Sequence, residues 1–112
     1  MNKELNDFKL VCKVSELTDA TGQRFLINDV DVALFKVEGK IYALNNFCTH
    51  KLMPKIYEGN IEDGYVICPL HGWQFNLKDG KLHNGTTALD TYETKIIDDD
   101  VYVKTYDKKL NW

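Results

Sequence analysis

A chain of 112 residues, 44% apolar and 28% charged, has the length and composition of one globular domain with a real core. Its formal net charge of -3 excludes the clustered basic surface that phosphate-backbone binding requires, so no nucleic-acid partner is expected. It has no apolar run of about twenty residues to span a membrane. The polar stretch from Met1 to Lys9 lacks the apolar centre of a secretion signal, and the expected compartment is the cytoplasm.

In chain order, residues 9–14 alternate as a first strand. This strand carries Cys12, expected to be a small buried hydrophobe. Three cysteines, an odd and low number, argue against a disulfide framework. Residues 15–22 are polar and turn-rich. Residues 23–27 predict a second strand, stopped by Asn28-Asp29. Residues 32–37 and 41–44 predict a third and a fourth, joined through Glu38-Gly39-Lys40 as a tight hairpin. A loop over residues 45–53 follows. Asp63-Gly64 marks a second hairpin between Ile61 and Tyr65, and residues 65–67 deliver Cys68 at a strand end.

Beyond a second loop, residues 73–76 read as a strand closed by Lys78-Asp79-Gly80. Residues 81–88 are irregular and contain His83, expected at the surface, and Asn84-Gly85. Residues 92–97 and 101–105 predict the last two strands. Asp98-Asp99-Asp100 between them lacks the spaced oxygen ligands of a calcium loop and reads as a turn. No helical period is sustained over about twelve residues, so the fold class is all-β, a sandwich or barrel. Residues 1–112 are taken as a single domain in which residues 45–77 form a small subdomain carrying the two loops.

Those loops concentrate the chemistry. The first contains Cys48-Thr49-His50 and the second Cys68-Pro69-Leu70-His71, with residues 51–67 between them. Both spacings are too short to set two ligands on one helix face and suit loops at strand ends. Together they offer two thiolates and two imidazoles. Two metal groups accept that set: tetrahedral zinc, or a [2Fe–2S] cluster with both Cys on one iron and both His on the other. Each loop mixes Cys with His, which suits a binuclear centre, since each loop can then reach both irons.

The sequence Cys48-Thr49-His50 … Cys68-Pro69-Leu70-His71-Gly72-Trp73-Gln74-Phe75 closely resembles the Rieske iron–sulfur motif. The resemblance extends over nearly the whole chain. It implies a Rieske-like β-sandwich or barrel and one [2Fe–2S] cluster. Cys48 and Cys68 would hold the inner iron, and His50 and His71 the outer, solvent-facing one. Gly72 would let backbone approach closely, Pro69 would shape its loop, and Met53-Pro54 would form an apolar lid. High-potential Rieske proteins clip the two loops with an extra disulfide and donate Ser and Tyr hydroxyls to the cluster sulfurs. The matching positions here are Met53 and Leu70, then Trp73 and Phe75, none of which can do so. The resemblance therefore implies a low-potential ferredoxin.

Such a protein is a one-electron carrier rather than an enzyme. It would take electrons from a flavoprotein reductase and pass them to a terminal oxygenase or similar acceptor, and a monomer is expected. Two alternatives are a small Rieske-like subunit of a nitrite-reductase-type enzyme and a structural zinc-binding interaction module.

Overall fold

The computed structural model describes residues 8–48, 53–70, 72–83, 85 and 87–105. Among them are nine strands: β1 (Lys9–Lys13), β2 (Thr21–Ile27), β3 (Val30–Val37), β4 (Lys40–Asn45), β5 (Asn60–Glu62), β6 (Tyr65–Ile67), β7 (Gln74–Asn76), β8 (Thr91–Ile97) and β9 (Asp100–Lys104). Two short 3-10 turns, Val14–Glu16 and Ile56–Glu58, are the helical segments of the described chain. The expected all-β class is the observed one.

The two expected hairpins, at Glu38-Gly39 and Asp63-Gly64, form as tight turns with both central residues at positive φ, and so does Asn28-Asp29, which the sequence marks only as a strand end. This conformation matches the twist of the strands it joins. β2 and β3 start two residues earlier than the apolar pattern indicates. Backbone pairing continues from Thr21↔Lys36 to Ile27↔Val30, and it needs no apolar side chain to do so.

The strands form two antiparallel sheets. The larger runs β1-β9-β8-β4-β3-β2, and the smaller runs β5-β6-β7. The edge strands β1 and β2 face each other across a groove lined by Leu10, Val11, Phe25 and Leu26, so the large sheet curls towards closure. A bulge between Leu10 and Cys12 bends β1 along β9. Cys12 is half-buried rather than buried, packed at the margin of a core rather than inside it.

Each sheet has its own apolar core, and β3 is the wall between them. Residues 31–35 are buried without a break. Successive side chains on a strand point to opposite faces. Val32 and Leu34 accordingly join Ile41, Ala43, Tyr92, Val101 and Val103 inside the curled sheet. Ala33 and Phe35 join Leu44, Ile56, Val66 and Phe75 in an outer core shared with the small sheet. A strand covered on both faces reads as a continuous apolar run, as Val32-Ala33-Leu34-Phe35 does.

Candidate metal centre

Both candidate thiol ligands lie in the outer core. Cys48 is 0% and Cys68 1% exposed, and they belong to one cluster of buried residues with Phe35, Ile56, Val66 and Phe75. The two loops that the sequence sets apart are thus brought together by the packing of the small sheet on the outer face of β3 and β4. No disulfide joins Cys12, Cys48 or Cys68.

The first loop leaves β4 through two consecutive asparagines that point opposite ways. Asn45 continues the strand, and its Nδ2 donates to the Tyr92 hydroxyl at 3.1 Å. Its Oδ1 accepts the Phe47 N–H at 2.9 Å, a local turn that swings the chain out of the sheet. Asn46 turns inward and is fully buried. Beyond it the Cys48 N–H donates to the Met53 carbonyl at 3.1 Å, and Phe47 pairs with Pro54. The loop is therefore a closed one. Met53 is 44% and Phe47 38% exposed, so apolar side chains flank Cys48 at the surface.

The second loop leaves β6 and is tighter. The Cys68 N–H donates to the Trp73 carbonyl at 2.7 Å, and the Gly72 N–H returns to the Cys68 carbonyl at 2.9 Å. Gly72 sits at φ +78. A Cβ added there would meet no atom of the described residues, so among them it is the backbone angle that calls for glycine. Leu70 and Trp73 pack against the outer core, and the Trp73 and Phe75 rings lie 6.5 Å apart. Phe75 is fully buried, at the position where a hydroxyl donor was expected to be missing.

His50 and His71 lie outside the described residues, as do Lys51, Asn84 and the tail beyond Thr105. His83 is exposed and stands edge-on to Tyr65 at 5.5 Å, as a surface histidine does.

The sequence reading missed the support behind the first loop. Asp31, 7% exposed, accepts both Arg24 Nε (3.0 Å) and Arg24 Nη2 (2.8 Å), and also accepts Asn46 Nδ2 at 3.0 Å. The hydrogen bonds to Asp31, and then its charge, push the Arg24 guanidinium further up. Burial pushes the Tyr92 phenol up, while the hydrogen bond with Asn45 opposes the shift. Two signals were available: an Asp inside an apolar strand, and a second Asn after the strand end.

The donor set fits an iron–sulfur cluster at one end. Two cysteines, buried together and held by backbone hydrogen bonds on adjoining loops, suit the thiolate side of such a group. No helix of the described chain is long and apolar enough to cross a membrane.

Comparison with known proteins agrees with this chemistry. The chain is 31% identical over 99 residues to the ferredoxin component of an alkene monooxygenase system from Xanthobacter autotrophicus, covering 85% of this chain and 80% of that one. It is 36% identical over 96 residues to the ferredoxin subunit of a 3-phenylpropionate/cinnamic acid dioxygenase from Photorhabdus laumondii, covering 83% and 90%. A chain in the complex of reduced oxygenase and oxidised ferredoxin of carbazole 1,9a-dioxygenase superposes with a TM-score of 0.78 at 26% identity, covering 90% and 98%. The nitrite reductase NAD(P)H small subunit from Erwinia carotovora shares the fold, with a TM-score of 0.78 at 21% identity and coverage of 96% and 88%. Residues 7–107 match the Rieske [2Fe-2S] domain. The chain belongs to the Rieske [2Fe–2S] domain family and carries one [2Fe–2S] cluster.

Proposed function

We propose that this protein is a low-potential, one-electron carrier that receives an electron from a flavoprotein reductase and delivers it to a terminal oxygenase. The observation that carries this reading is the burial of Cys48 and Cys68 together in the outer core, with exposed Phe47 and Met53 flanking Cys48. In this reading Cys48 and Cys68 hold the inner iron, and His50 and His71 hold the outer one. The cluster, when bound, supplies reversible one-electron chemistry. The chain's own residues hold the thiols in place, exclude water from them, and present Phe47 and Met53 as an apolar contact surface. Apolar Trp73 and Phe75 donate no O–H towards the sulfurs, which favours a low potential. Residues 1–112 act as one domain, with 45–77 as the cluster-binding part, in a cytoplasmic monomer.

The relatives with 31% and 36% identity are ferredoxin parts of oxygenase systems, which supports a redox-protein partner over a catalytic role. The likeness to the nitrite reductase small subunit is one of fold. The zinc alternative gives way to the iron–sulfur family.

The test is a visible spectrum with iron and sulfide assays on the purified protein, then reduction by a flavoprotein ferredoxin reductase and reoxidation by a Rieske oxygenase. The expected result is about two irons and two sulfides per chain, with His71→Ala abolishing transfer. A colourless zinc protein, or undiminished transfer by H71A, would refute the reading.

A further inference from the structure

We propose that Asp31 and Asn46 form a positioning clamp that sets how firmly the first ligand loop holds its metal group. The proposal rests on the reading that Cys48 is a ligand.

The clamp is built from one side chain that closes a loop on itself. Asn46 Nδ2 donates to Asp31 Oδ1 at 3.0 Å and to the Pro54 carbonyl at 3.1 Å. Its Oδ1 accepts the Tyr57 N–H at 2.8 Å. Its backbone N–H donates to the Asp31 carbonyl at 2.9 Å, and its carbonyl accepts the Ile56 N–H at 3.2 Å. Asn46 precedes Cys48 by two positions, whereas Pro54, Ile56 and Tyr57 follow it. One fully buried amide thus fastens the entry of the loop to its exit, and both to β3.

The orientation of that amide is dictated by its neighbours. The Asp31 carboxylate and the Pro54 carbonyl only accept, and the Tyr57 N–H only donates. The nitrogen must therefore face the first two and the oxygen the third. Asp31 is itself anchored. It shares the outer face of β3 with Ala33 and Phe35, and the Arg24 guanidinium from β2 neutralises it at 2.8 Å. Arg24 stands opposite Ala33 in the β2–β3 register, one diagonal step from Asp31. The chain of contacts runs from an exposed guanidinium, through a buried carboxylate and a buried amide, to the loop that carries Cys48.

Groups that hydrogen-bond metal ligands contribute about 10- to 100-fold in metal affinity, and Asn46 acts one step further back, through the backbone of the ligand loop, so the lower end of that range is expected. Asn46→Asp is close to isosteric but sets a second acceptor against Asp31 and Pro54 while keeping the Tyr57 contact. The added substitution Asp31→Asn returns a donor to the interface and restores the net charge.

The experiment follows the visible absorbance of the holoprotein under excess iron chelator, with urea unfolding of the same variants in parallel. N46D is expected to lose colour about tenfold faster than the parent, and D31N/N46D to recover most of that loss. Val103→Ala lies in the inner core and serves as a control for general destabilisation. It is expected to lower the urea midpoint with little effect on colour loss. If V103A and N46D accelerate release alike at matched stability, or if N46D releases at the parental rate, the clamp is refuted. Cys48→Ser separates the two claims. It should abolish the parental spectrum, and an unchanged spectrum in C48S would overturn the ligand assignment instead.

Discussion

Among the cysteines, Cys12 has an environment unlike that of the buried pair. It sits on an edge strand, half-buried, beside Glu16 and Asp99. Burial first, and then those two carboxylates, push its thiol from an ordinary value near 9.0 up to about 11. The sign of the effect follows from the folded state keeping its proton longer than the unfolded chain does. The contribution of Cys12 to stability is at its full value below pH 9 and is lost as pH rises towards about 11. The part of that alkaline loss due to Cys12 should vanish in Cys12→Ser, measured as urea midpoints at pH 8 and pH 11. Equal losses in parent and variant would remove Cys12 from the account. At this scale the sequence was informative where chemistry is rare and silent where it is common. Cys48 and Cys68 stand out because paired Cys/His spacings seldom occur by chance. Asn46 and Asp31 are marked only by their positions at the strand end and inside the apolar strand, because a buried amide and a turn amide look alike in a sequence, and only the fold brings position 31 beside position 46.

Among the elements, the turn after β7 leaves its glycine the least room for a side chain. Gly80 lies at φ +75, its N–H donates to the Asn76 carbonyl, and its own carbonyl accepts the Leu89 N–H. A Cβ there would run into the Leu89 carbonyl. Gly80→Ala should therefore destabilise by more than about 1 kcal/mol, read as a lower urea midpoint. Gly39→Ala, with the same sign of φ but open space around it, should cost less. A larger cost at Gly39 would show that backbone angle alone decides. The turns were the legible elements, since Asn-Asp, Glu-Gly and Asp-Gly pairs carry their own backbone preference. The turn Ile56–Glu58 and the three-residue strand β5 were not delimited in the sequence, whereas β6 was read at residues 65–67 because it leads into Cys68. A segment of three residues has no period to read, and its boundaries come from pairing partners elsewhere in the chain.

For the whole molecule, the division into two cores gives a distinct response to metal removal. The two thiols are part of the outer core, with Val66 and Phe75 of the small sheet, while Val101 and Val103 lie in the inner one. Stripping the cluster should speed amide hydrogen exchange at Val66 and Phe75 while leaving Val101 and Val103 protected. Uniform loss of protection in the apoprotein would mean that the cores unfold as one. The all-β class and the family were legible because a specific motif and many short strands pointed the same way. The sharing of β3 by two cores was hidden, since a run of apolar residues says that a strand is buried without saying by what.

The alternation along β3 has a consequence for heredity. The strand is bounded by two tight turns, Asn28-Asp29 and Glu38-Gly39, which fix its register against both neighbours. A single-residue insertion or deletion between them exchanges the faces, sending Val32 and Leu34 towards the thiols and Ala33, Phe35 and Asp31 into the barrel. Point substitutions can tune either side separately, but length changes strike both at once. The span between those turns should therefore tolerate variation in identity and none in number.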